Sequence, residues 1–193
     1  MGCGESKEAL EPSVTPKATP EKETKNPDLP KAEVKKPLTK EESAEVIEKA
    51  IRKELKKPTG ELTEADLEKV AMLYLGNNKL TEVPKTLEKL TQLRELHLSF
   101  NRLTDVKGLE KLTKLEELNL QGNQLTSVKG LEKLAQLEYL NLNFNQWTDL
   151  KELEKFTQLE LLRLDDNPDL TKAQITELQK ALPKCEILSN PTK

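Results

Sequence analysis

The chain has 193 residues, 34% of them charged, with a net charge of -3 and a mean hydropathy of -0.69. That balance, with no basic cluster, argues against a nucleic-acid ligand. No run of about 18 apolar residues is present to span a bilayer, and a single histidine with two cysteines leaves little material for a catalytic centre.

Residues 1–37 differ from the rest. They hold six of the eleven prolines and no aromatic residue, and seven acidic side chains balance seven basic ones. Such a segment buries too little apolar surface to offset its ordering entropy, so a disordered, partly polyproline-like tether is expected. At about 3 Å per residue it would reach up to ~100 Å. Its opening, Met1-Gly2-Cys3-Gly4-Glu5-Ser6, fits a myristoylation pattern with an adjacent cysteine for palmitate. It is also similar to the end of a bacterial lipobox, where small residues precede a lipid-modified cysteine. Both readings make Cys3 the anchor and the tail a stand-off from the bilayer. The third reading is an unmodified cytoplasmic start.

Residues 38–69 carry helix signals and read as an N-terminal cap. Thr39 and Glu42 are spaced as a capping box, and Ala44, Ile47, Ile51 and Leu55 recur on one helical face. Pro58 and Gly60 are expected to end that helix. Thr63 and Asp66 mark a second start, with Leu62 and Leu67 placed for a hydrophobic staple.

From 70 to 170 one pattern, L-x-x-L-x-L-x-x-N-x-L, is written five times. Its asparagines are Asn78, Asn101, Asn123, Asn145 and Asn167, spaced 23, 22, 22 and 22 residues apart. Positions 4 and 6 are leucine between polar neighbours, the periodicity of a strand with one buried face. Leu73/Leu75, Leu96/Leu98, Leu118/Leu120, Leu140/Leu142 and Leu162/Leu164 should point inward. The asparagine follows where the chain turns, and its amide can satisfy backbone groups left unpaired there. Stacked copies would form a structural asparagine ladder. The second half of each unit should return as a short helical or 3₁₀ turn. Its pairs Leu87/Leu90, Leu109/Leu112, Leu131/Leu134 and Leu153/Phe156 close the core. One unit alone cannot bury its apolar face, so neighbours must stack. Residues 171–193 read as the closing cap. Thr171 and Gln174 open a helix carrying Ile175, Leu178 and Leu182, Pro183 ends it, and Cys185 and Ile187 follow as a short inward-facing strand.

This pattern resembles the leucine-rich-repeat superfamily. The 22-residue unit and its V-K-G-L-E-K-L-T-x-L half are most similar to the bacterial internalin-type subclass, and the segment A-I-R-K-E-L-K-K-P-T-G-E-L-T-E-A-D-L-E-K-V resembles the helical cap preceding such arrays. The resemblance implies an α/β solenoid: a curved parallel sheet on the concave side, short helical or 3₁₀ turns on the convex side, and helical caps. It implies binding rather than chemistry. Its bacterial character favours the lipobox reading of Cys3 over dual acylation. The expected place is then the cell envelope, with the cytoplasm as the alternative.

The search for chemistry yields little. His97 lies on the outward side of its strand and Cys185 in the distant cap, so no nucleophile–histidine set assembles. Asp165-x-Asn167-x-Asp169 begins like a calcium loop, but Leu170 and Thr176 stand where that loop needs Gly and Glu. Glu116/Glu117 read as solvated surface. No enzyme, cofactor or metal is expected, and the chain should be a monomer with no intramolecular disulfide. Positions 3, 5, 7 and 8 of the repeats line the concave sheet and vary most. Of six aromatics, Trp147 and Phe156 replace core leucines and the other four fall on these columns. Tyr, Phe and Arg are favoured interface anchors. The candidate contacts are Tyr74, His97, Phe100, Asn119, Tyr139, Asn141, Phe144 and Arg163, for a protein or peptide ligand. The competing readings are a structural spacer without a dedicated partner and, third, a regulatory subunit of an enzyme.

Overall fold

The computed structural model describes residues 36–191 and residue 193, so Cys3 and nearly all of the expected tether lie outside the described residues. Helix α1 (Lys40–Glu54) starts at the expected box: Thr39 Oγ1 accepts from the Glu42 N–H at 3.2 Å and the Glu42 carboxylate accepts from the Thr39 N–H at 2.7 Å. It buries Ser43, Ile47 and Ile51. Its end comes before Pro58. Lys56 adopts φ 52°, the Lys56 N–H donates to the Lys53 carbonyl and the Lys57 N–H to the Arg52 carbonyl. This is a Schellman closure with lysine where glycine is usual. Helix α2 (Glu64–Leu67) is capped by Thr63 and Asp66. Lys57 and the Thr63 cap hold the Asp66 carboxyl well below the usual carboxylate range.

Strands β1 (Met72–Tyr74), β2 (Glu95–His97), β3 (Glu117–Asn119), β4 (Tyr139–Asn141), β5 (Leu161–Arg163) and β6 (Glu186–Leu188) form one parallel sheet in sequence order. The register pairs equivalent positions, Leu73↔Leu96↔Leu118↔Leu140↔Leu162↔Ile187. Every leucine at positions 4 and 6 is buried, and Trp147 and Phe156 are buried among them. Short 3₁₀ turns at Lys85–Lys89, Leu109–Lys111, Leu131–Lys133 and Leu153–Lys155 return the chain, and their leucines close the core from the other side. Gly108 and Gly130 enter two of these turns at φ 97° and 106°, a conformation that suits glycine. In the following unit Glu152 stands in the equivalent place with φ -65°, and its carboxylate accepts instead from Ser127 Oγ and the Val128 N–H of the preceding unit.

The asparagines are bonded to neighbouring units as well as their own. Asn123 Nδ2 donates to the carbonyls of Leu120 in its own unit and Leu98 in the preceding one, both at 3.0 Å, while its Oδ1 accepts from the Leu103 N–H. Asn101, Asn145 and Asn167 repeat this arrangement. Asn78 departs from the expected ladder. No repeat precedes it, so its Nδ2 reaches only the Gly76 carbonyl, and it is half-buried.

Helix α3 (Lys172–Ala181) is boxed by Thr171 and Gln174 and buries Leu178, with Leu182 buried just beyond it. Cys185 is buried and its thiol is unpaired. Burial pushes that thiol up, which suits a packing role rather than a reactive one. The side chains of the calcium-like run go to separate partners: Asp165 to Asn143, Asn167 to backbone carbonyls, and Asp169 to Lys193.

Candidate functional site

The outward positions of β1–β5 divide into three groups. The first lies where the strands begin. The N–H groups of positions 2 and 3 share one acceptor in each pair of strands: Glu116 and Glu117 donate to the Arg94 carbonyl, Glu138 and Tyr139 to the Glu116 carbonyl, and Glu160 and Leu161 to the Glu138 carbonyl. This sharing breaks the two-residue alternation, and consecutive side chains both face out. The result is a groove of about 580 Å³ lined by Met72, Tyr139 and Leu161 together with Glu95, Glu116, Glu117, Glu138 and Glu160. One cation, Arg94, also lines it and is paired with Glu116. Column 3, expected on the concave sheet, supplies Met72, Glu95, Glu117, Tyr139 and Leu161, of which Tyr139 is the one named among the eight candidate contacts. The missed signal was column 2, which reads Ala71, Arg94, Glu116, Glu138, Glu160.

The second group is centred on Glu95. The Tyr74 hydroxyl donates to Glu95 Oε1 at 2.6 Å, His97 Nε2 lies 2.7 Å from the same oxygen, and the Tyr74 and His97 rings stack with centroids 4.6 Å apart. The Tyr74 hydrogen bond, with a smaller contribution from His97, holds the Glu95 carboxyl below its ordinary value. The same bond pushes the Tyr74 phenol up. Tyr74 is nevertheless 56% exposed.

The third group is a polar lattice across β3–β5. Asn119 Oδ1 accepts from the Gln121 N–H and Asn141 Oδ1 from the Asn143 N–H. Asn143 exchanges two bonds with Asp165, and Arg163 lies 3.6 Å from Asp165. This corrects the expectation for Asn141. It is only 2% exposed, closed in by Gln121 and its own turn, and its amide is not presented to a partner. Asn119 and Arg163 are half-buried within the same lattice.

Phe100 and Phe144 stand apart from all three, on the turns after β2 and β4, 51% and 50% exposed. Position 8 is left-handed in every unit: Asn77, Phe100, Phe144 and Asp166 have φ between 53° and 60°, and Gly122 has φ 67°. Phe100 lies over Gly122, where an added Cβ would sit 2.6 Å from its ring. The eight proposed contacts therefore do not form one patch. Tyr139 lies in the groove, Tyr74 and His97 stack beside it, Asn119, Asn141 and Arg163 belong to the lattice, and the two phenylalanines edge the turns.

The fold is a leucine-rich-repeat solenoid. The family of Leucine Rich repeats (2 copies) matches residues 69–111 and 113–155. Three solved structures place the chain among known solenoids. An internalin from Listeria monocytogenes is 26% identical, with a TM-score of 0.66 over 77% of this chain and 44% of that one. A leucine-rich-repeat protein of Leptospira interrogans is 35% identical, with a TM-score of 0.57 over 66% of this chain and 33% of that one. Toll-like receptor 13, in a complex with a single-stranded RNA, is 28% identical, with a TM-score of 0.54 over 62% of this chain and 18% of that one. The chain spans less than half the length of each. Among the described residues no helix is long and apolar enough to cross a membrane.

Proposed function

We propose that this chain is a non-enzymatic interaction module whose concave face binds a protein or peptide ligand of basic and apolar character. One observation carries the reading. Five carboxylates and the four side chains of Ala71, Met72, Tyr139 and Leu161 share the groove at the strand starts, against the single cation of Arg94. Charge of one sign around a partly apolar floor selects a ligand of the opposite sign, and it speeds encounter. Leucine-rich-repeat proteins generally mediate such interactions, which supports binding over the spacer and enzyme-subunit readings.

The test uses two labelled peptides of equal length, one of alternating Arg and Leu and one of alternating Glu and Leu. The wild type should bind the first, with affinity falling as salt rises, and not the second. A Glu138→Lys/Glu160→Lys double variant should bind the basic peptide at least about tenfold more weakly, a loss of about 1.4 kcal/mol, with unchanged circular dichroism. Equal binding of both peptides, or an unaffected variant, overturns the assignment.

The tethered, cell-envelope reading is proposed with it, on the strength of Met1-Gly2-Cys3 and the proline-rich segment that follows. Stable anchoring takes at least two membrane-binding signals, such as two acyl chains. Expressed with its native upstream sequence, the wild type should fractionate with membranes, and Cys3→Ser should release it. A wild type that is soluble and carries no lipid by mass spectrometry removes the anchor without touching the groove.

A further inference from the structure

Glu95 and His97 are two residues apart on β2 and therefore share its outward face. Glu117 is the register partner of Glu95 on β3. One oxygen of each carboxylate and one ring nitrogen of His97 all lie within 4.8 Å of one another. Like charges placed directly side by side on adjacent strands repel. Here two carboxylates are held side by side and converge with an imidazole, each half-buried on a strand fixed at both edges by neighbours.

We propose that Glu95, His97 and Glu117 form a binding site for a divalent transition-metal ion of the zinc class. The donor set decides the class. One imidazole with two carboxylates suits zinc, whose ligands sit at about 2.0–2.2 Å. Calcium takes six to eight oxygens, and magnesium keeps most of its waters. A tetrahedral ion at those bond lengths holds its donors about 3.4 Å apart. His97 Nε2 and Glu95 Oε1 are at 2.7 Å, and all three donors lie within 4.8 Å of one another, a spacing close to that of such a site. Side-chain rotation on fixed strands closes the difference. The ion then takes the place of the hydrogen between Nε2 and Oε1: the neutral imidazole carries its one proton on Nδ1 and offers the Nε2 lone pair, any second proton leaves to solvent, and the ion relieves the carboxylate repulsion. Three protein ligands leave a fourth position open to the concave side.

Tyr74 is a positioning residue. Its hydroxyl donates to Glu95 Oε1 and its ring stacks on His97. Partners of this kind fix ligand orientation, and their loss typically weakens metal affinity about 10–100-fold. The metal site shares Glu95 and Glu117 with the groove, but its test uses the ion alone, so its failure and the failure of the peptide reading are distinguishable.

The test is a zinc titration of the full chain after chelator dialysis, read by calorimetry and by metal content after gel filtration. The chain has one histidine, so a single set of imidazole resonances reports coordination directly. Wild type should retain one zinc per chain and shift the His97 resonances in proportion to the zinc added. His97→Ala and Glu117→Gln should each weaken binding at least tenfold, and Tyr74→Phe should weaken it less than either. Cys3→Ser, run because a thiolate is also a zinc ligand, should bind as wild type does. Since Tyr74, His97 and Glu117 lie on the outward face of the sheet and belong to no part of the core, circular dichroism of those variants should stay the same. The proposal is overturned if His97→Ala binds zinc as wild type does, if Cys3→Ser abolishes binding, or if zinc leaves the imidazole resonances unmoved.

Discussion

Leu118→Ala is expected to cost about 2–5 kcal/mol, the range for a buried leucine truncated to alanine. Leu118 sits at the centre of β3, with Leu96 and Leu140 as its register partners on either side, and none of its side chain is exposed. The backbone around it cannot collapse to fill the space. Its strand is hydrogen-bonded to a neighbour on each edge, and the turn Leu109–Lys111 is closed by its own 3₁₀ bonds. Lys133→Ala, on the exposed side of the turn Leu131–Lys133, should stay within about 0.5 kcal/mol. Urea denaturation measures both, and an unchanged slope would confirm that stability rather than compactness has moved. Equal losses in the two variants would refute the assignment of inward and outward positions.

Asn123→Ala is expected to cost about 1–3 kcal/mol although it removes little apolar surface. The side chain is buried and bonded at both ends. Without it the carbonyls of Leu98 and Leu120 lose a donor and the Leu103 N–H loses its acceptor. Water reaches these groups poorly, so the penalty is that of buried polar groups left unpaired. Asn78→Ala supplies the comparison. That asparagine is half-buried and donates only to Gly76, so its loss should be the smaller. Denaturation midpoints that rank the two variants the other way would show that the ladder is not what holds adjoining units together.

The repeat, its inward leucines and its turn asparagines were legible because each obeys a fixed period, and the period follows from strand geometry. The parallel register was legible through the resemblance to leucine-rich repeats, and the structure pairs equivalent positions. The binding face was only partly legible. Columns 3, 5, 7 and 8 do face out in most units, yet Asn141 is closed in by Gln121 and Asn143, neighbours that no single column displays. The carboxylates of column 2 were missed for a sharper reason. Alternation assigns position 2 to the opposite face from position 3, and only the shared carbonyl at each strand start turns both outward. The grouping of Tyr74, Glu95, His97 and Glu117 needed distances across three strands, which period alone does not supply. Lys56 escaped notice because a left-handed lysine has no sequence signature, whereas Pro58 has a strong one.

The direction of the asparagine bonds has a consequence for biosynthesis. The turn N–H groups of Leu80, Leu103 and Leu125 are each satisfied by an asparagine 20 or 21 residues downstream. A chain emerging from the ribosome amino terminus first therefore completes no turn until the next unit has been synthesised. Each unit is finished by its successor, and the last, with Asn167, is closed by β6, which pairs with β5, and by Asn190, whose Oδ1 accepts from the Asp166 N–H, rather than by another copy. Nascent chains stalled between units would carry one open turn at the growing end, so a fully closed array exists only once the C-terminal cap has left the exit tunnel.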